Sequence, residues 1–327
     1  MKHYIARCGA TLLLSCVAAA THAQEAARDY PRQPIKLVVP FPAGSLVDVL
    51  GRSVADSLST ALKQPVVIDN KAGASTLLAA KIVAAAPPDG YTLLLPTVTT
   101  MSMAPQLVEK PGIDPLKELT PIARLGATNF FLSVHPSFPA RNMREWVAVV
   151  KKNPGKYTYA SSGVGSPHHI FMELLKKELG LHMVHIPYRG SSSAMTDLLS
   201  GKVDMAFLDG TLAIPNAKAG KLHALGTSMA KRTVLMPGVP PIADTVKGYD
   251  WSGWIGFAGP ANMPQPIVNL LAEEIRKLQA TPAFAELLNK AAMEPTDPIP
   301  PAQMQQFVRN EYLRWGPAIK TSGATID

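Results

Sequence analysis

From residue 35 onward, short apolar runs alternate with amphipathic stretches, and few architectures besides parallel strands joined by crossover helices accommodate that alternation. Ile35 to Phe41 reads as a buried strand. Leu46, Leu50, Val54, Leu58 and Leu62 then recur at every fourth residue, laying one apolar stripe along a helix that must stop before Gln64-Pro65. Val66 to Asp69 reads as a second strand, Ser75 to Ala86 as a helix stopped by Pro87-Pro88, and Tyr91 to Leu95 as a third strand.

An irregular stretch, Pro105 to Thr120, leads to apolar segments at Ile122 to Leu125 and Phe130 to Val134, where the chain is expected to enter a second domain. The alternation resumes with helix Arg144 to Lys152, strand Tyr157 to Ser161, helix Ser166 to Leu179, strand Val184 to Ile186 and helix Ser193 to Leu199. Strands Val203 to Leu208 and Leu222 to Thr227 follow. Trp254 to Ala258 reads as a return strand, and Pro266 to Gln279, Pro282 to Ala291 and Ala302 to Lys320 as helices packing back on the first domain. A single core rarely grows beyond roughly 250–300 residues, and the chain has 327. The expectation is an α/β fold of two lobes, one formed by 24–127 with 258–327 and the other by 128–257, around a cleft that opens and closes about a hinge. Ligands of such sheets bind beyond the carboxyl ends of the strands, so the loops leaving strands are the ones to inspect.

The first residues set the compartment. Lys2 and Arg7, the apolar Ala10 to Ala20 and the small-x-small Thr21-His22-Ala23 read as a secretory signal peptide over 1–23, cleaved after Ala23. The run is shorter than the roughly 20 residues that span a bilayer. Leu13-Leu14-Ser15-Cys16 leaves open a lipoprotein signal with Cys16 lipidated, although the Ala23 site is better formed. Both cysteines, Cys8 and Cys16, fall in the leader, so disulfide and thiol chemistry are not expected of the exported chain. The chain carries 32 Lys and Arg against 24 Asp and Glu. That excess suits an anionic ligand, but it is scattered and serves solubility equally well, and no basic run interleaved with aromatics points to nucleic acid.

Two loops could carry chemistry. Pro40-Phe41-Pro42-Ala43-Gly44-Ser45-Leu46-Val47-Asp48 joins the first strand to the first helix: prolines stiffen it, Gly44 lets backbone approach a ligand, and the helix start offers N–H groups with partial positive charge. Ser161-Ser162-Gly163-Val164-Gly165-Ser166-Pro167-His168-His169 repeats the design, with Ser166 as cap and Pro167 opening the helix. Each alone is also an ordinary strand-to-helix turn, the first with Ser45 and Asp48 as a capping box. Together they suit one carboxylate gripped from both lobes.

Other chemistry finds little support. His168, His169 and Glu173 lack helical zinc spacing, since adjacent helical histidines diverge by about 100°, and Glu173 has Lys177 four residues on as an ion-pair partner. His169 is expected to donate a hydrogen bond inside the cleft or to pack. No G-x-S-x-G elbow, Walker loop or complete G-x-G-x-x-G fingerprint occurs, and His185 reads as a strand-end core histidine. No metal, no cofactor and no catalytic residue is expected.

The whole exported chain resembles the Bug-type (TctC-like) solute-binding receptors of tripartite tricarboxylate transporters. The resemblance rests on Tyr30-Pro31-Arg32-Gln33-Pro34-Ile35 leading into VVPFPAGSLVD, APPDGYTLLLPT from Ala86, YASSGVGSPHH from Tyr159, HIPYRGSSSAMTDLLSGKVD from His185, AGKLHALGTS from Ala219 and RWGPAIKTSG from Arg314. It implies a type II periplasmic-binding-protein fold, a periplasmic location and a small-carboxylate ligand gripped largely by backbone amides and water. By position it points to Phe41, Pro42, Ala43, Gly44, Ser45 and Asp48 in the first loop, and to Ser162, Gly163, Val164, Gly165, Ser166 and His169 in the second. Thr97, Thr99 and Thr100 would close the side of the pocket, and Tyr188, Leu208 and Asp209 would line the part that selects the ligand. The chain departs from the family where a usual pair of glycines is Gly44-Ser45 and a usual Thr is Val47. Where many relatives place an acid directly after a strand Phe, this chain has Leu208 with Asp209 next, which disfavours an amino acid and leaves a mono- or dicarboxylic acid without an amine. The partners implied are membrane transporter subunits or, within the same class, a periplasmic sensor domain, with the receptor itself a monomer. An enzyme on the same two-lobed scaffold is the alternative from another class.

Overall fold

The computed structural model describes residues 29–324. The leader assigned to 1–23, with Cys8, Cys16 and the cleavage position after Ala23, lies outside them.

The early alternation yields three parallel strands, β1 (Ile35–Val39), β2 (Val66–Asn70) and β3 (Thr92–Leu94). Helix α1 (Leu46–Leu62) lies between β1 and β2, burying Leu50, Val54 and Leu58 of the four-residue stripe. The next helix, α2, occupies only Leu77–Ala84. The residues expected to open it, Ser75 and Thr76, instead turn left-handed with φ of 51° and 78°, as does Ala74 before them at 45°. Then come β4 (Leu119–Thr128), β5 (Phe130–Val134), α3 (Met143–Lys152), β6 (Thr158–Ser161), α4 (Pro167–Leu179), β7 (Val184–Pro187), α5 (Ser191–Leu199) and β8 (Met205–Asp209). A helix absent from the sequence expectations, α6 (Gly210–Lys218), precedes β9 (His223–Thr227); Pro215 in its middle disguised it. The chain ends through β10 (Gly253–Pro260), α7 (Gln265–Gln279), α8 (Pro282–Lys290), β11 (Met293–Glu294) and α9 (Pro301–Ser322).

Two sheets result, in the orders β11-β4-β10-β3-β1-β2 and β7-β6-β8-β5-β9. Each contains three neighbouring parallel strands, but β10 runs antiparallel to β3 and β4, and β5 runs antiparallel to β8 and β9. The sheets are therefore mixed where the sequence pattern had suggested parallel pairing.

The chain passes directly from β4 in one sheet to β5 in the other through Asn129 and returns near Ser228. Asn129 Oδ1 accepts from Ser228 Oγ and from Met229 N, both at 3.3 Å. Backbone bonds add to this tie: Ser228 N donates to Phe130 O at 2.8 Å. One apolar cluster runs through both sheets, from Val38, Leu94 and Ala258 to Leu132, Tyr159 and Phe207, and Trp315 and Ile319 of α9 join it. The tilted stack of Trp315 on Phe171 of α4, 5.8 Å between centroids, holds the last helix against the second sheet's helices.

Candidate functional site

The loop after β1 is built around one buried carboxylate. Ser45 caps α1, its Oγ accepting from Asp48 N at 3.2 Å. Asp48 Oδ2 accepts from Gly44 N at 2.8 Å and Arg52 Nε at 3.0 Å, while Oδ1 accepts from Asn70 Nδ2 at 2.9 Å. Burial alone would raise this carboxyl, but those three donors more than offset it and hold it below its ordinary value. Gly44 takes φ of +78°, a conformation glycine adopts without strain.

The loop after β6 is set by two histidines. Ser161 Oγ and His185 Nε2 are 2.7 Å apart, and Gly163 N donates to Ser161 Oγ at 3.2 Å. Gly165 N donates to His169 Nδ1 at 3.2 Å. Ser166 caps α4, with Pro167 at its first turn. The amides of Gly163 and Gly165 are thus engaged by side chains of their own lobe. In contrast, the N–H groups of Leu46, Val47, Val164 and His168 have no partner among the described residues.

These four residues line one cavity of about 610 Å³. Ten of the residues implied by position share it: Phe41 and Ser45 from the first loop, Thr97 and Thr99 from the segment after β3, Ser162, Gly163, Val164, Gly165 and Ser166 from the second loop, and Asp209. The others lie off its wall. Asp48 is enclosed by its own loop, Leu208 sits in the apolar core and Thr100 is buried, its Oγ1 accepting from Thr97 N at 3.3 Å. Gly44 faces a neighbouring groove, Pro42 and Ala43 are outside the lining, and the Tyr188 hydroxyl donates to Asp197 Oδ2 at 2.9 Å.

His169 turns away from the cavity, stacked on His185 and 4.0 Å from Glu173. Its neighbour His168 takes the wall instead. Nor does Glu173 pair with Lys177: its Oε1 is 2.6 Å from Lys176 Nζ, and Lys177 Nζ donates to Thr321 Oγ1.

Sequence reasoning missed several wall residues. Ser75 and Thr76 bring the left-handed turn to the cavity, Ser191 brings the start of α5, and Trp254 and Ile255 bring β10. Ser162 Oγ lies 2.8 Å from His168 Nδ1, His168 Nε2 lies 3.3 Å from Asp209 Oδ2, and Ser191 Oγ donates to Asp209 Oδ2 at 3.2 Å. Among the described residues, His168 and Asp209 are the only titratable ones of the lining. Among the described residues no three His, Cys, Asp or Glu side chains gather as a metal site would require.

Residues 50–324 match the family model described as the tripartite tricarboxylate transporter family receptor. The chain belongs to that family. Its members are solute-binding receptors of the periplasm, not enzymes, and they share the type II two-sheet fold. Rpa4515 of Rhodopseudomonas palustris, solved with adipate, is 30% identical and superposes with a TM-score of 0.80 over 90% of this chain and 99% of its own. The periplasmic binding protein BugD is 31% identical, with a TM-score of 0.76 over 90% and 99%. MatC of the same Rhodopseudomonas species, solved with malate, is 27% identical, with a TM-score of 0.75 over 89% and 100%.

Proposed function

We propose that the chain is an exported receptor, freed of its leader after Ala23, that captures a small mono- or dicarboxylic acid and delivers it to a membrane transporter of the tripartite tricarboxylate type. In this reading 24–127 with 258–327 and 128–257 are the two lobes, and the ligand lies between the loops that follow β1 and β6.

One observation carries the carboxylate reading: the unpartnered N–H groups of Leu46 and Val47 from one loop and of Val164 and His168 from the other belong to residues of a single cavity wall. Both sets stand at or beside the start of a helix, where partial positive charge favours an anion. Adipate in Rpa4515 and malate in MatC support the same class of ligand. Much of the remaining wall is apolar, including Phe41, Leu107, Phe130, Trp254 and Ile255, and suits the carbon body of an acid.

Calorimetric titration with adipate, malate and their diamides tests the reading. The acids are expected to bind reversibly and the diamides at least tenfold more weakly. Equal affinity for acid and diamide would defeat it. Delivery is tested separately, by uptake of the labelled acid into cells with and without the receptor.

A further inference from the structure

We propose that the preferred ligand is a monocarboxylic acid with an extended apolar body, and that a second carboxylate on the same molecule weakens binding. The proposal rests on the carboxylate reading above and narrows its substrate class.

Partners for one carboxylate are at hand, and partners for a second are missing. The free N–H groups of Leu46, Val47, Val164 and His168 all stand at or beside the starts of α1 and α4. Among the described residues the lining holds no lysine and no arginine. Arg189, next in sequence to Gly190 of the wall, is exposed and lies off it. The imidazole of the wall is already engaged: His168 Nδ1 lies 2.8 Å from Ser162 Oγ, and Nε2 is buried 3.3 Å from Asp209 Oδ2. Burial would raise the Asp209 carboxyl, but His168, the Ser191 hydroxyl and its own backbone N–H outweigh burial and hold it below its ordinary value. Asp209 is thus an anion at neutral pH. A second carboxylate entering beside it finds a like charge and no unattached cation.

Hydroxyl groups do not replace a cation here. Ser166 Oγ donates to Gly163 O at 2.7 Å and Ser191 Oγ to Asp209 Oδ2 at 3.2 Å, so both hydrogens are engaged. Ser45, Ser75 and Thr211 stand on partly or fully exposed turns, where water serves them. Of the buried wall threonines, Thr97 Oγ1 lies 3.4 Å from Thr100 Oγ1, and Thr76 Oγ1, like Trp254 Nε1, is buried from solvent and out of a ligand's reach. Thr128 remains, and one neutral hydroxyl does not stand in for the water shell of a carboxylate.

Carbon, in contrast, is well provided for. Val98, Ala104, Leu107, Phe130, Trp254 and Ile255 bring buried apolar side chains to the same cavity. Its volume of about 610 Å³ falls in the range that takes drug-sized ligands, which leaves room for more carbon than malate carries.

Calorimetry at neutral pH with hexanoate and adipate, which share a chain length and differ in one carboxylate, tests the proposal. Wild type is expected to bind hexanoate at least about tenfold more tightly than adipate, because the second charge goes unpaired. Affinity should climb from butanoate through hexanoate to octanoate, by up to about fourfold for each added CH2. Asp209→Asn should shrink the preference for hexanoate several-fold, since the like charge is gone, and a ratio of two affinities cancels any general weakening of the variant. Adipate binding wild type as tightly as hexanoate, or affinity that does not rise with chain length, overturns the proposal and leaves the carboxylate reading standing. Failure of both hexanoate and adipate to bind, or hexanoate's amide binding as tightly as the acid, takes down that reading and this proposal together.

Discussion

The imidazole rings of His169 and His185 lie face to face, 4.0 Å between centroids and 5° from parallel. Each holds one end of the loop after β6, His185 through Ser161 and His169 through Gly165 N. Burial and the neighbouring His169 bring His185 down to about 4, and burial also lowers His169 despite the attraction of Glu173. Both are neutral in the fold, whereas the unfolded chain protonates them near the ordinary value of 6.5. Between 6.5 and about 4 the unfolded state therefore binds more protons, and stability falls as pH falls across that window. Melting followed by circular dichroism should show this slope, and His185→Phe, which keeps a stacked ring without the charge, should flatten it. A wild-type melting temperature constant across the window would contradict the assignment.

Replacing Gly165 with valine is expected to weaken acid binding about tenfold to a hundredfold, the equivalent of one charge-assisted hydrogen bond of roughly 1.5–3 kcal/mol. Its φ of +74° is one that a β-branched residue adopts only under strain. The loop would shift, and the N–H groups of Val164 and His168 with it. Titration of the variant, after a melt confirms its fold, checks the loss; unchanged affinity would place the ligand elsewhere.

Asp48→Asn should destabilise the protein by about 1–3 kcal/mol at neutral pH, because a buried carboxylate with three donors becomes an amide that repels at least one of them. The carboxyl's folded value lies below its ordinary 3.8, so its contribution is present above that value and lost as pH falls through the folded one. Denaturant curves of the two proteins should therefore differ most near neutrality and converge as pH falls below 3.8.

Ser75→Gly should stabilise the fold by about 0.5–1 kcal/mol. A left-handed serine costs roughly 1–2 kcal/mol, and glycine's greater freedom in the unfolded chain cancels part of the relief. A lower melting temperature would mean that the hydroxyl holds the turn.

Much of the framework is legible in the sequence because periodicity survives folding: the four-residue stripe of α1, the apolar β1 and β6, and the paired strand-to-helix loops. What escaped has physical reasons. Pro215 broke the helical pattern of α6, although the helix runs through it. Nothing in Ala74-Ser75-Thr76 favours the left-handed turn found there, because none of the three is a residue that adopts that conformation readily. The choice between His168 and His169 depends on how α4 is rotated. A usable signal was present: His169 stands four residues before Glu173, the polar edge of the helix, so the other histidine was free to face the cavity.

Asn129 has a mechanical consequence. Its side chain binds the two places where the chain passes between sheets, and no strand pairing is shared across them. A rotation of one sheet against the other about this tie would twist a few peptide units and leave both hydrogen-bonded ladders whole. The barrier to such a swing is then set by side chains sliding past one another rather than by broken backbone bonds, and the resting angle can be chosen by whatever occupies the gap.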